Sequence, residues 1–520
     1  MSNIRLRLAP SPTGFLHIGN LRTALFGYLI AKSLKGDFIL RIEDTDEKRE
    51  VEGAVESLIK ILDWIGIEFS EGPHKGGDFG PYIQSERLDI YHKYRDELLA
   101  KDGAYHCFCT SETLTQMREQ QQADKLPPRY DRRCRQLSSA EVESRLRSGE
   151  RFVIRQKLPL DGTIVVHDEL RGDISFQCSD LEDHVLIKSD GVPTYQFANI
   201  VDDHLMEISH VTRGDEWLPS FPKNILLYQA FAWEAPKFIH LPLILNKTGG
   251  KLSKRQGDVF VEQYKDKGYL PEALINFCAL LGWHPKHDKE ILSLTELEQE
   301  FSLEGMGTSP AIFDTDKLDY YNGIYLRQKS DRELLILLKP FISTNPPLDK
   351  GRWPSLAEDG ESRRAEAGGV KDNSPLACPP MRSERGSDDY LLKIIPTIKE
   401  RLKTLSDVAE LTAFYFAESL DYDSNLLIWK TLTPEQVISN LKEVVAQLEA
   451  IETADWTTYN LEQTLVEWLK SSDKKLGDYL WPMRVALTGQ KASPSPFEVA
   501  SVLGRELSLQ RIQEGINKLN

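Results

Sequence analysis

The chain has 520 residues, 40% of them hydrophobic and 28% charged, and carries a formal net charge of −16. That length exceeds what one hydrophobic core sustains and predicts about two to four domains. The acidity excludes a non-specific nucleic-acid coat, though not a protein that grips one RNA through local basic patches such as Arg129, Arg132, Arg133 and Arg135. The opening MSNIRLRLAP lacks the apolar stretch of a signal peptide, and no apolar run is long enough to cross a bilayer, so a cytoplasmic protein without membrane contact is expected. The 6 cysteines are too few for a disulfide framework in a chain of this length. Cys178, Cys278 and Cys378 stand apart and read as ordinary thiols, whereas Cys107, Cys109 and Cys134 cluster.

Taken in chain order, the first 45 residues read as strand, helix, strand. Ile4, Leu6 and Leu8 alternate with Arg5 and Arg7, which predicts a strand with one polar face. Pro10 and Pro12 break it. Ile18, Leu21, Leu25, Tyr28 and Leu29 follow at helical spacing, and Gly36 ends that helix. DFILRIED is a second strand ending in Glu43 and Asp44. A unit of this length predicts a parallel βαβ arrangement with its ligand beyond the carboxyl ends of the strands, where Arg7, His17 and Glu43 fall. From about Arg151 the pattern turns to short strands, RFVIRQKLP, GTIVVHDEL and HVLIKSDGVPTYQF, which predict an inserted α+β subdomain. A second α/β stretch resumes near Asp202. Beyond about Arg327 amphipathic helices are predicted over LLIWKTL, NLKEVVAQLEAI and LEQTLVEWLK. The stretch from Gly351 to Asp389, rich in Pro, Gly and Ser and poor in aliphatic side chains, reads as a disordered insertion.

The P-loop, HExxH and GxSxG patterns do not occur. SPTGFLHIGN instead lies at the mouth of the first helix, where unpaired N–H groups and the positive dipole end suit a polyphosphate. Gly14 and Gly19 permit close approach, and His17 can donate to a phosphoryl oxygen. Read alone, the segment is a capped helix with a structural histidine. GGKLSKRQG puts Lys251, Lys254 and Arg255, with Lys247 nearby, on a glycine-flanked loop. Alone it is a solvated basic turn, but mobile cations also suit a phosphate that gains negative charge as it reacts.

Together HIGN and KLSKR resemble the HIGH and KMSKS motifs of class I aminoacyl-tRNA synthetases. APSPTG, RIEDTD, GPYIQSER, KSDGVPTYQFANIVDDH, RGDEW and SPAIFDTDKL are similar to segments of bacterial-type glutamyl-tRNA synthetases. The resemblance covers roughly residues 1–330 and continues more weakly to the C-terminus. It implies an α/β fold: a Rossmann catalytic domain (1–106 and 201–326, the latter including the KLSKR loop and a stem-contact region), an inserted α+β acceptor-stem domain (107–200), and an all-helical anticodon-binding domain (327–520). It implies ATP-dependent activation of L-glutamate and transfer to tRNA(Glu), by a monomer, with Mg²⁺ entering with ATP. By the same resemblance Arg7, Ser11, Glu43, Tyr195, Asn199 and Arg213 hold glutamate, while Ser11, His17, Gly19, Glu216, Lys251, Lys254 and Arg255 hold ATP. His17 and Lys254 are the implied catalytic pair. Asn20 replaces the second histidine of HIGH and still donates a hydrogen bond.

Cys107, Cys109, Tyr130 and Cys134 resemble a structural zinc site of some members of the family. Gln136 stands where another family variant has a fourth, histidine ligand, and reduced thiols on a surface hairpin are the alternative. Related activities are distinguished by domain content: the short relative that attaches glutamate to a modified tRNA base lacks the C-terminal helical region, and a glutaminyl enzyme is expected to carry a β-rich one. A non-catalytic tRNA-binding relative has no need of His17, Lys254 and Arg213 together.

Overall fold

The computed structural model describes residues 4–12, 14–46, 51–250, 252, 259–343 and 387–520. Two compact units are present, Met1–Asp266 with Pro271–Leu318, and Lys267–Leu270 with Asp319–Asn520. In the first, β1 (Arg5–Leu8) and β2 (Asp37–Leu40) pair in parallel around α1 (Ile18–Ser33), with Arg5 opposite Asp37, as the expected βαβ unit.

β1 differs from the predicted half-polar strand: all four of its residues are buried, Arg5 at 2% and Arg7 at 5% exposure. A lone charge could not be carried there, and each arginine meets a carboxylate from another segment. Arg5 Nη1 reaches Glu71 Oε1 at 2.8 Å and Arg7 Nε reaches Asp203 Oδ1 at 2.9 Å. Alternation in the sequence was real, but distant acids turned the polar face into a second interior. α1 is likewise buried well beyond the predicted stripe, including Ala24, Phe26, Gly27 and Ile30, because it packs on β1, β8 and a later helix.

The chain continues through α2 (Ala54–Ile65), α3 (Leu88–Ala100), β3 (Ala104–Cys107), α4 (Ser111–Ala123), α5 (Ser139–Arg147), β4 (Val153–Gln156), β5 (Thr163–Asp168), β6 (Gly172–Gln177) and β7 (Val185–Ile187). Then come α6 (Tyr195–Leu205), β8 (His210–Gly214), α7 (Phe221–Phe231), β9 (Lys237–Leu241) and β10 (Ile244–Leu245). β3, β4 and β7 form an antiparallel sheet, and β6–β5–β9–β8 a mixed one, in which the β5–β6 hairpin adds to the parallel pair β9–β8. The N–H of Ser209, just ahead of β8, donates to Arg5 O at 2.9 Å and joins this sheet to β1.

In HVLIKSDGVPTYQF the strand Val185–Ile187 and the turn signalled by Asp190-Gly191 are present, but the strand expected after the turn is corrected here: Tyr195, Gln196 and Phe197 open α6. Phe197, Ala198, Ile200 and Val201 enter the core on one side of α6, whereas Tyr195, Asn199, Asp202 and Asp203 recur at helical spacing on the other. That 3.6-residue period, running on to Leu205, overrides the two-residue period of its first few residues.

The second unit is helical, with Pro434–Glu449, Thr458–Ser471, Leu476–Thr488, Pro496–Leu503 and Arg505–Leu519 among its helices. Arg511 is buried at its centre and donates to Leu487 O (2.8 Å), Phe414 O (2.8 Å) and Ala417 O (2.6 Å), satisfying carbonyls at two helix ends. LLIWKTL is not a helix. Only the 3-10 turn Ser424–Leu427 forms, and Trp481, its ring tilted against Trp429 at 4.4 Å, donates from Nε1 to the Leu426 carbonyl at 2.9 Å. Of the stretch 351–389, residues 351–386 lie outside the described residues. Its last three residues are ordered helix start: Ser387 caps Asp388–Ile398 by accepting from Tyr390 N at 3.2 Å, with Asp388 and Asp389 in the first turn.

Gly36 turns the chain from α1 into β2, donating to Ala31 O at 2.8 Å, and a Cβ there would lie 2.3 Å from the backbone oxygen of Ile4. Gly36→Ala is therefore expected to destabilise the chain by about 1–3 kcal/mol, through overpacking against backbone that cannot rotate away. The denaturant midpoint of the purified protein measures it, and an unchanged midpoint would show that β1 yields at no cost.

Candidate active site

A cavity of about 450 Å³ opens where β1 and β8 end and α1 begins. The residues at its wall include Arg7, Ser11, His17, Gly19, Tyr195, Arg213 and Glu216, so most of the predicted set converges from three separate stretches of sequence. Glu43 and Asn199 are not on the wall; they are buried, joined by an Asn199 Nδ2 to Glu43 Oε1 hydrogen bond of 2.9 Å. Lys251, Lys254 and Arg255 lie outside the described residues.

His17 is the N-cap of α1: its backbone is extended, and Nδ1 accepts from Gly19 N at 3.0 Å. The C-terminal flank of the KLSKR loop is bound to this same segment. Ile18 N donates to Val259 O at 2.8 Å, Val261 N donates to Leu16 O at 2.9 Å, and Leu252 lines the cavity. The loop therefore leaves from the cavity wall and returns beside His17. Lys247 is not part of the cavity; its ammonium pairs with Asp314 at 2.7 Å and Asp316 at 2.5 Å, on the protein surface.

The two pocket arginines differ in what holds them. Arg7 is paired with Asp203, which also takes Arg41 Nη1 at 2.8 Å. Burial works against the charge on Arg7, but Asp203 outweighs it and the pKa rises above the usual guanidinium value. Among the described residues Arg213 has no carboxylate partner. Its Nε donates to His240 Nε2 at 2.9 Å, and Asn224, with its amide oxygen turned toward it, accepts from Nη1 at 2.8 Å. Burial lowers its pKa to about 10, which leaves it fully charged near neutrality. An arginine buried among Phe221, Phe238 and neutral acceptors is a cation prepared for an anion from outside.

Behind the wall, Glu43 Oε1 accepts from Arg41 Nη2 (2.9 Å) and Asn199, while Oε2 has no partner among the described residues. Burial pushes the Glu43 pKa up despite Arg41 and Arg7. Tyr195 caps this corner against Trp217, with ring centroids 4.7 Å apart, and burial raises its hydroxyl to about 12. Asp202, next to Asp203 on α6, accepts from Arg87 Nε (2.7 Å), Gln84 Nε2 (2.8 Å) and the Tyr91 hydroxyl (2.8 Å). RIEDTD, QSER and VDDH thus meet in one buried ionic cluster.

The cysteine cluster forms a second constellation. The sulfurs of Cys107, Cys109 and Cys134 all lie within 4.8 Å of one another, Cys109 and Cys134 at 3.6 Å. The Tyr130 hydroxyl is 3.2 Å from Cys107 Sγ and 3.6 Å from Cys109 Sγ. Ligands on one tetrahedral zinc with Zn–S bonds of about 2.3 Å would stand roughly 3.8 Å apart, so this donor set fits. The neighbouring arginines do not make an open basic patch. Arg129 pairs with Asp180, Arg133 with Asp131, and Arg132 and Arg135 with Asp183.

Sequence reasoning passed over Arg22, Trp217, Asp203, Asp168 and His240. Trp217 stood inside the RGDEW motif and Asp203 inside VDDH, whereas Asp168 and His240 carry no local pattern that marks them. Arg22 lines the cavity and donates to the backbone oxygens of Leu281 and Pro242.

A parallel βαβ unit whose helix start opens on a cavity with a buried guanidinium, in a chain that carries both HIGN and KLSKR, fits a class I aminoacyl-tRNA synthetase. The family model described as tRNA synthetases class I (E and Q), catalytic domain, matches residues 3–320, and one described as anticodon binding domain matches residues 370–516. The chain belongs to the class I tRNA synthetases of the E and Q group. It is 42% identical to a glutamate–tRNA ligase of Clostridium botulinum (strain Loch Maree / Type A3), over 100% of this chain and 99% of that one. It is also 42% identical to one of Dehalococcoides mccartyi (strain CBDB1), over 100% and 98%. A glutamate tRNA ligase from Elizabethkingia meningosepticum, solved in complex with its amino acid, is similar at TM-score 0.83 and 36% identity, covering 100% of both chains.

Asp203 is the acid on which Arg7 and Arg41 both depend. Burial raises its pKa, but the two arginines outweigh burial, so the folded value lies below the usual one. A depressed carboxyl pKa stabilises the fold above the unfolded value of about 3.9 and ceases to do so as pH falls through the folded value. Asp203→Asn is expected to cost about 3–5 kcal/mol near neutral pH, by leaving two buried guanidinium groups short of charge. Urea unfolding across pH should show the gap from the parent narrowing below about pH 4; a gap independent of pH would mean that packing, not charge, is lost.

Proposed function

We infer that the chain is a glutamate–tRNA ligase: it activates L-glutamate with ATP and passes the glutamyl group to the 3′ end of tRNA(Glu). The observation that carries the amino-acid assignment is Arg213, a buried guanidinium on the cavity wall with no carboxylate of its own among the described residues. Its natural complement is the side-chain carboxylate of glutamate, with Arg7 beside it. Glu43 and Tyr195, backed by Asn199, suit the substrate ammonium, and Ser11 the region between amino acid and nucleotide.

The proposed chemistry is in-line substitution at phosphorus. The α-carboxylate of glutamate attacks the α-phosphorus of ATP, the bond to the bridging oxygen breaks, and pyrophosphate leaves. His17, whose Nδ1 holds the Gly19 N–H, is positioned at the start of α1 to meet the phosphates, Gly19 allows their close approach, and Glu216 suits the ribose. Lys254, with Lys251 and Arg255, stabilises the negative charge as it develops, from a loop whose C-terminal flank adjoins His17. Mg²⁺ accompanies ATP as part of the substrate. A ribose hydroxyl of the terminal adenosine of tRNA then attacks the glutamyl carbonyl, and AMP departs. Residues 107–200 are proposed to hold the acceptor stem and 327–520 the anticodon, the latter supported by the anticodon-domain match. A cytoplasmic monomer is proposed. No helix among the described residues is long and apolar enough to cross a membrane.

Pyrophosphate exchange and aminoacylation with purified tRNA(Glu) test this reading, with glutamine and tRNA(Gln) alongside; no exchange with glutamate, with or without tRNA, would overturn it. Within that assay Arg213→Ala is expected to raise the glutamate KM by roughly a hundredfold, corresponding to about 3 kcal/mol, and to leave the ATP KM near its parent value. Equal shifts in both constants would move Arg213 out of the amino-acid pocket.

We also propose that Cys107, Cys109, Tyr130 and Cys134 hold one structural zinc, on the strength of their mutual distances. Metal analysis of protein purified without chelator should find about one equivalent per chain, lost in Cys109→Ser. Metal-free parent protein with normal activity would mark the cluster as reduced thiols.

A further inference from the structure

Arg213 is held by an uncharged group, and the identity of that group has consequences. His240, on β9, is fully buried between Asp168 at the end of β5 and Arg213 on β8. Asp168 Oδ2 accepts from both the backbone N–H of His240 (3.0 Å) and its Nδ1 (2.7 Å), while Oδ1 accepts from Leu170 N (3.0 Å) and Arg171 N (2.9 Å). Every contact to this carboxylate is a donor, so Nδ1 of His240 carries the proton. Nε2 then presents a lone pair, and Arg213 Nε donates to it at 2.9 Å. The opposite tautomer, or the imidazolium, would set two N–H groups face to face. Burial lowers the His240 pKa, and Arg213 and Arg171 add to this against the pull of Asp168, so the ring is neutral at working pH. The rings of Phe221 and Phe238 flank it, with centroids 4.8 and 6.2 Å away.

We propose that His240 is a positioning residue for glutamate specificity: a neutral acceptor, locked in one tautomer by Asp168, that fixes the direction of Arg213 without neutralising it. A carboxylate in its place would hold the arginine as firmly but would satisfy the charge meant for substrate. An apolar residue would leave the charge but not its direction. Asp168 is thus set one imidazole away from the cation it orients, and the outer edge of the guanidinium, beyond Nε and the Asn224-bound Nη1, remains for the ligand.

This inference rests on Arg213 being the glutamate cation, and the test separates the two. His240→Gln, whose amide can donate to Asp168 and accept from Arg213, is compared with His240→Phe, which keeps a ring of similar size without polar atoms. His240→Phe is expected to raise the glutamate KM by roughly tenfold or more, as loss of a hydrogen bond to a charged group does, with the ATP KM within about twofold. His240→Gln should stay within about threefold of the parent on both. If Arg213→Ala raises the glutamate KM but His240→Phe does not, or if His240→Gln is as impaired as His240→Phe, the positioning role is overturned and the reading of Arg213 survives. If Arg213→Ala leaves the glutamate KM unchanged, both fall. Should His240→Phe fail to fold, the parent enzyme labelled with ¹⁵N-histidine decides: a ring protonated at Nδ1 and bare at Nε2 supports the proposal. The reverse tautomer overturns it. The resonance absent from His240→Gln identifies the ring.

Discussion

Asp202 and Asp203, side by side on α6, hold the corner on which the cavity is built. Asp203 takes Arg7 from β1 and Arg41 from the end of β2; Asp202 takes Arg87 and Gln84 from the segment that runs beside them. Burying any one of these charges alone would cost several kcal/mol, so the arrangement is stable only when all the segments are present together. That mutual dependence joins residues from four parts of the sequence around one wall. It also explains how β1 can place arginines inside the molecule.

The same accounting separates the residues that are satisfied from those that are prepared. Arg7 and Arg41 share Asp203 with the fold, whereas among the described residues Arg213 meets only neutral acceptors. A site that must bind an anionic side chain needs a cation whose charge is not already spent, held in one orientation before the ligand arrives. His240 and Asn224 provide the orientation, and burial among aromatic rings provides the low dielectric in which the charge acts strongly. Glu43 offers the complementary feature for an ammonium: one oxygen engaged and one without partner among the described residues.

Elsewhere the molecule uses similar residue types for plain structural ends. Arg129, Arg132, Arg133 and Arg135, which look like an RNA-binding run, are each tied to an aspartate. Arg511 is spent on helix-end carbonyls in the second unit. Lys247 belongs to a surface pair with Asp314 and Asp316 rather than to the cavity. Charge type and local density do not distinguish these uses; the partner does.

Much of the candidate site was legible in the sequence because it lies in contiguous segments with their own local physics. HIGN sits where a helix must begin, KLSKR lies between glycines, and RIED ends a strand, so each announces its position by backbone preference and periodicity. The assignment of Tyr195, Asn199 and Arg213 came from resemblance, and the helix that carries the first two was misread as strand because YQF taken alone has no helical period. What only the tertiary structure decided is which charges are matched. The pairing of Arg5 and Arg7 with acids up to 196 positions away, and the chain from Asp168 through His240 to Arg213, leave no local trace. Periodicity reports which side of an element faces inward, because that is set by neighbours three or four residues away; the partner of a buried ion is set by how distant segments cross, and it exists only once they have met.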